Sequence, residues 1–327
     1  MLAIRTQQLS KSFKSIGKKT VHALRPMDLA VEQGEIFGFL GRNGAGKTTA
    51  IKMLTGLIHP SNGDAFLFDS PTNQPDARKQ VGYMPEHPYF YEYLTPRETL
   101  DFYGSLRGLT REARLQEWDT ISKLLDLQDI GDRRIRSFSK GMRQRVGFAV
   151  ALVGDPPLLI LDEPMSGLDP LGRKMIRELM LRLNHMGKTI FFSSHVLSDV
   201  EEICDRVGIL VSGKLTACDR IVNLVDTHRQ SVELEVAGIN ADALEPVSGV
   251  ALQCLFNKDG SCRLTFSDSS HANDAIKAIQ NLGGQVLSLH PAVESLEDFF
   301  MRIQDVVDVP DKKNNEESEM QAGEDQI

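Results

Sequence analysis

The chain has 327 residues, 41% of them hydrophobic and 25% charged, and a formal net charge of −8. That length exceeds one average domain, and the composition is that of an ordinary globular protein. Residues Asp308–Ile327 carry seven acidic and two basic side chains, which leaves the remainder near −3 with no basic stripe to grip a phosphate backbone, so nucleic acid is not an expected partner.

Cys204, Cys218, Cys254 and Cys262 form no C-x-x-C pair and join no His/Cys cluster, which points to reduced thiols in a cytosolic setting. No apolar run is long enough to cross a bilayer; the most apolar stretch, Val146–Leu161, is broken by Asp155, Pro156 and Pro157. The first residues lack the apolar core of a signal peptide. A cytoplasmic chain, held at a membrane only through a partner, is the expectation.

Along the chain, Met1–Leu9 and Val21–Val31 alternate as strands do. Ile36–Leu40 is a short continuous apolar run, the pattern of a central strand buried on both faces of a parallel sheet. A glycine-rich loop follows, then a predicted helix from Lys47 to Leu57 with Ile51 and Leu54 on one side. Residues 85–154 read as helical, with Thr95-Pro96 opening one helix. Leu158–Leu161 is a second buried strand, Arg173–Met186 an amphipathic helix, and Thr189–Ser193 another strand. The character shifts near 221–230. Beyond it lie strands at Ser231–Val236 and Cys262–Phe266, a hairpin turn at Asn257–Gly260 and a helix at Asp274–Leu282. Residues 231–304 read as a small α+β domain, and 309–327 as an acidic, disordered tail.

Gly41-Arg42-Asn43-Gly44-Ala45-Gly46-Lys47-Thr48 matches G-x-x-x-x-G-K-[ST] between an apolar strand and a helix, the context that makes the motif specific. Its glycines let backbone N–H groups curl around an anion at a helix N-terminus. Lys47 is expected to reach the β- and γ-phosphates of a nucleotide, and Thr48 to hold Mg²⁺. Asp162-Glu163-Pro164 ends the strand Leu158–Leu161, where open α/β sheets bind ligands. Asp162 suits Mg²⁺ there. Glu163, one residue on, can orient or deprotonate an attacking water.

Between these elements lies Ser137-Phe138-Ser139-Lys140-Gly141-Met142-Arg143-Gln144-Arg145. It resembles the signature motif of ABC (ATP-binding-cassette) ATPases, commonly Leu-Ser-Gly-Gly-Gln followed by Gln-Arg. Ser139, Gly141, Gln144 and Arg145 match; Phe138, Lys140 and Met142 depart. The wording is similar to the export class that includes antibiotic-resistance and sodium pumps. Other family elements fall in order: Ser166-Gly167-Leu168-Asp169-Pro170 resembles the D-loop, Ser193-Ser194-His195 the switch histidine, and Val81–Glu86 the Q-loop region, with Glu86 where the family usually has Gln. Phe13 matches the aromatic that stacks on adenine.

The resemblance covers roughly residues 1–225. It implies an α/β P-loop NTPase (ABC ATPase) core with an antiparallel β-subdomain and a helical subdomain, plus the small C-terminal α+β domain. It implies ATP and Mg²⁺ as ligands. Phe13, Gly41–Thr49 (Thr49 included), Ser139, Lys140, Gly141, Met142 and Asp169 would contact nucleotide; Thr48, Glu86 and Asp162 would hold Mg²⁺; Glu163 and His195 would be catalytic. In this family ATP lies between the loop of one copy and the signature of another, so a head-to-tail homodimer is implied. Separate transmembrane permease subunits would hold it on the cytoplasmic face of the inner or plasma membrane. Tyr89, Phe90, Tyr91 and Tyr93 crowd after Glu86, where the family meets those subunits. The alternatives are a soluble ABC ATPase acting on ribosome or DNA, a regulatory module without hydrolysis, and a P-loop kinase or GTPase. The single cassette without coiled-coil or zinc insertion, the retained Lys47, Asp162, Glu163 and His195, and the signature segment argue against these in turn.

Overall fold

Five consecutive residues without a polar side chain, Ile36-Phe37-Gly38-Phe39-Leu40, leave a strand with no face to turn to water. In the computed structural model they form β3 (Ile36–Leu40), buried throughout. The structure describes residues 1–14, 20–225, 232–238, 251–257, 261–291 and 295–308. The proposed hairpin turn at 257–260 and the tail at 309–327 lie wholly or largely outside them. Val222–Arg302 form one compact unit, and Met1–Ile221, with the last described residues from Ile303, the other.

In the larger unit a six-stranded sheet has the order β10 (Lys214–Arg220), β9 (Arg206–Val211), β3, β8 (Thr189–Ser194), β7 (Leu158–Leu161), β6 (Val81–Met84). All neighbours are parallel except the edge pair β10–β9. β7 and β8 are buried along their whole length, as their apolar runs require. A second, antiparallel sheet has the order β2 (Val21–Glu32), β1 (Leu2–Phe13), β4 (Asn62–Leu67), β5 (Ser70–Pro71). One hydrophobic core joins the two sheets: Ile4, Leu9 and Leu29 meet Phe37, Phe39 and Phe191, with Ile51 and Leu54 of α1 (Lys47–Leu54) between. The Phe37 and Phe191 rings stack 5.6 Å apart and 4° from parallel.

The short helix α2 (Pro75–Lys79) precedes β6. Between β6 and β7 the chain forms α3 (Pro96–Leu106), α4 (Arg111–Leu124), two 3₁₀ turns and α5 (Lys140–Leu152). Thr95 and Glu98 make a reciprocal capping box at the start of α3, with Pro96 in its first turn. α5 lies directly on β6: a Cβ on Gly82 would come within 1.9 Å of the Ala151 carbonyl, so that strand position admits only glycine. α6 (Pro170–His185) and α7 (Leu197–Ile203) follow β7 and β8.

Several boundaries differ from the sequence reading for local reasons. α1 stops at Leu54 because Gly56 turns left-handed at φ 70°. α6 starts at Pro170, three residues early, because the Asp169 carboxylate accepts the Gly172 N–H at 3.0 Å. The short helix α8 (Ile221–Leu224) lies where the two units join in sequence, and in the smaller unit an antiparallel sheet runs β12 (Gln253–Phe256), β13 (Cys262–Phe266), β11 (Val232–Ala237), β14 (Gln285–Pro291). α9 (Ser269–Asn281) packs Ala272, Ala275 and Ile279 on Leu234, Leu264 and Phe266. It too begins earlier than predicted, because Asp268 caps it through the Ser270 and His271 N–H groups. α10 (Leu296–Asp308) ends the described chain.

Replacing Phe191 by Ala removes the ring on which Phe37 and Phe39 both rest. The expected cost is about 3–5 kcal/mol. Urea unfolding followed by Trp118, the single tryptophan and buried in the same unit, reads it directly. A loss under about 1 kcal/mol contradicts this account of the core.

Candidate nucleotide-binding and hydrolysis site

The glycine-rich loop leaves the carboxyl end of β3 and runs into α1. Gly46 has φ 107°, and a Cβ there would lie 2.3 Å from the Ala23 carbonyl, so both conformation and space demand glycine. Gly41 N–H donates to the Ser194 carbonyl at 3.3 Å, tying the loop to the end of β8. Arg42, Asn43, Gly44, Gly46, Lys47, Thr48 and Thr49 line a cavity of about 330 Å³ together with Ala23, Glu86 and Glu163. Ala45 lies beneath, with Arg42–Gly44, in an adjoining cavity.

Lys47 is buried, and its ammonium donates to the Gly41 carbonyl at 2.6 Å and the Arg42 carbonyl at 3.3 Å. It also stands 3.1 Å from Glu163 Oε1. That contact is an ion pair without hydrogen-bond alignment: Oε1 is buried and receives no hydrogen bond. The other oxygen, Oε2, accepts from His195 Nδ1 at 2.8 Å. Lys47, Glu163 and His195 thus form one chain of contacting polar groups, from three segments far apart in sequence.

Asp162 and Glu163 follow β7, and both are buried. Glu163 has φ 49°, a left-handed conformation unusual for a residue with a long side chain and costing about 1–3 kcal/mol. Asp162 Oδ1 accepts from Thr48 Oγ1 at 3.3 Å and from Ser193 Oγ at 2.7 Å. Burial, and then the Asp162 charge, push the Tyr83 phenol up to about 12, so the ring stays neutral beside that carboxylate. Thr48 and Glu86 line the cavity and Asp162 touches Thr48, so all three offer the hard oxygen donors that Mg²⁺ takes, and Glu163 Oε1, without a hydrogen bond, leaves spare acceptor capacity at the same cavity.

The other predicted nucleotide residues lie elsewhere. Ser139 is exposed at the start of α5, where its Oγ accepts the Met142 N–H at 3.3 Å. Ser139, Gly141, Met142 and Asp169 line a different cavity, of about 290 Å³, which shares no residue with the Lys47 cavity. The Lys140 ammonium lies against Gly167, 2.0 Å from where a side chain on that glycine would begin. Phe13 is half exposed at the end of β1, with the Lys11 ammonium 5.2 Å from its ring centre, and does not line the Lys47 cavity.

Two residues of this region escaped the site predicted from sequence. Ser193 is fully buried and joins Asp162 to Glu163. Gln144, buried on α5, donates through Nε2 to the Pro164 carbonyl just after Glu163. For Ser193 the available signal was a hydroxyl directly after the apolar run Ile190-Phe191-Phe192. Gln144 belonged to the matched Gln-Arg pair but carried no spacing that pointed to Pro164.

Comparison with known proteins agrees with this geometry. The family model for ABC transporters matches residues 24–166. An uncharacterized ABC transporter ATP-binding protein of Synechocystis sp. is 39% identical over 304 residues, 91% of this chain and 84% of that protein. The bacitracin transport ATP-binding protein BcrA of Bacillus licheniformis is 36% identical over 92% of this chain and 96% of its own length. NatA of Bacillus subtilis, an ABC transporter ATP-binding protein, is 36% identical over 65% of this chain and 87% of its own. A solved ATP-binding subunit of an ABC transporter superposes with TM-score 0.61 at 31% identity, covering 68% of this chain and 92% of that one. A cassette solved as a dimer in a post-hydrolysis state with ADP and Pi has the same TM-score at 23% identity, which speaks for the fold alone. With the loop, the paired carboxylates and the signature helix in place, this chain belongs to the ABC transporter family, as one of its ATP-binding, ATP-hydrolysing subunits.

Proposed function

We propose that two copies of this chain close head to tail around two ATP molecules, and that the cycle of closure and hydrolysis drives export through separate transmembrane permease subunits. One observation carries this reading. The Lys47 cavity holds the groups for phosphate and water, while Ser139 and Gly141 open on a different cavity of the same chain. A nucleotide needs both, so each chain is half of two sites.

On this reading the loop N–H groups and Lys47 bind the β- and γ-phosphates. The phosphates draw the Lys47 ammonium from its ion pair, which leaves the Glu163 carboxylate to accept the proton of the attacking water. His195 holds the second oxygen of that carboxylate and so its orientation. Thr48, Asp162 and Glu86 would hold Mg²⁺, which neutralises phosphate charge when bound. Ser139 and the N-terminal N–H groups of α5 supply donors to the nucleotide of the partner copy. Phe13 offers its free face to the adenine.

Among the described residues no helix is long and apolar enough to cross a membrane. Membrane attachment therefore falls to a docking surface. Tyr89, Tyr91 and Tyr93 are 86%, 60% and 74% exposed, while Phe90 fills the interior. An exposed aromatic cluster next to Glu86 suits a protein interface, where such rings are enriched. Relatives named for bacitracin transport support a transport role, and export rests on the likeness of the signature wording to the export class. The relatives reported above are named as transport or transporter ATP-binding proteins, which favours a permease over a ribosome or DNA as partner.

Glu163→Gln is expected to lower ATP turnover by about 100-fold or more and to accumulate an ATP-dependent dimer, read by phosphate release and size-exclusion chromatography. Turnover at the wild-type rate removes Glu163 as the base. Alanine at both Tyr89 and Tyr91 should abolish permease-coupled transport while the isolated subunit hydrolyses ATP as before. Intact transport in that variant places the docking surface elsewhere.

A further inference from the structure

The geometry points to Ser193 as the positioning residue that holds Glu163 in its working conformation, an inference that rests on the role proposed for Glu163. β7 and β8 run parallel, with Leu161 opposite Phe192 as the last paired rung. One step further, Ser193 stands beside the point where the chain leaves β7 and turns. Its hydroxyl has one proton and accepts through its lone pairs. It accepts the Glu163 N–H at 2.9 Å and donates to Asp162 Oδ1 at 2.7 Å. One fully buried oxygen therefore joins the backbone of one acidic residue to the side chain of the other.

This bond has a specific task. Glu163 sits at φ 49°, a conformation its own side chain disfavours, and the left-handed turn must be held from outside. Ser193 supplies the one side-chain bond to the Glu163 N–H. Two residues on, the same strand end delivers His195 to Glu163 Oε2. The carboxylate is thus fixed at its root by Ser193 and at its tip by His195. A relaxed turn would swing Glu163 away from Lys47 and the water it is to deprotonate. Because Ser193 also orders Asp162, a residue offered to Mg²⁺, the test needs readouts besides turnover.

Ser193→Ala is expected to lower kcat by about 10- to 100-fold, with KM for ATP changing less than about threefold. ATP affinity with divalent metal chelated, which depends on the Lys47 loop, should stay within about threefold. Ser193→Cys fills the same space with a weak donor and acceptor, and is expected to fall in the same direction if the alanine variant fails to fold. The decisive comparison places Ser193→Ala in the Glu163→Gln background. If Ser193 acts through Glu163, the second change leaves the residual turnover unaltered; equal losses in both backgrounds overturn the inference. Wild-type kcat in a folded Ser193→Ala or Ser193→Cys protein overturns it as well. Fast turnover in Glu163→Gln alone refutes the role given to Glu163, whereas a slow Glu163→Gln beside a fast Ser193→Ala refutes only the role given to Ser193.

Discussion

The buried contact between Lys47 and Glu163, 3.1 Å apart, is the constraint on which the rest of the site depends. It draws together the end of β3 and the end of β7, two strands separated in the sheet by β8. Burying a lysine and a glutamate side by side is costly unless each is further bonded. Lys47 meets that demand with the Gly41 and Arg42 carbonyls, and Glu163 with His195. The oxygen facing the lysine remains without a hydrogen bond, so the pair is held close but incompletely satisfied. Such a pair is poised for exchange: a polyanion that takes the ammonium leaves the carboxylate with a new role.

The sheet explains how these groups meet. Parallel strands β3, β7 and β8 end on the same edge, and each delivers its chemistry at or just beyond its carboxyl end. β3 leads to the phosphate loop, β7 to Asp162 and Glu163, and β8 to Ser193 and His195. The apolar runs that made these strands predictable are the reason the edge is rigid. α5 bears on the site from another side, through Gln144 and the Pro164 carbonyl. The helix that opens with Ser139 is thereby tied to the turn that carries Glu163. A displacement of α5 would be felt at that turn without any change in the strands.

What could be read from the sequence was what is local. The phosphate loop is eight consecutive residues whose glycines have one structural purpose, and Asp162-Glu163 announces itself by the apolar run before it. That these strands belong to a parallel sheet followed from the same runs, though their order did not. Less legible were relations across long separations. Nothing in the composition of Thr189–Ser194 says that Ser193 will face Glu163, thirty residues away. Two helix starts, those capped by Asp169 and Asp268, were misplaced because the cap and not the apolar periodicity decided them, whereas the capped start at Thr95-Pro96 was legible from its proline. The tyrosines at 89, 91 and 93 could have filled a core by composition alone; only the fold shows them in solvent. That Ser139 and Lys47 line different cavities is likewise a three-dimensional fact, and it supports the proposal that a second copy completes the site.

That proposal has a direct measurement. Two variants, each inactive alone, are mixed: Lys47→Ala, which keeps an intact Ser139 and Gly141, and Ser139→Glu, which keeps an intact Lys47, Glu163 and His195. If each ATP is hydrolysed between two chains, the mixture contains pairs with one complete site, and ATP turnover returns. A mixture as inactive as its components would show that one chain alone must hold the whole site, and would contradict the account at its centre.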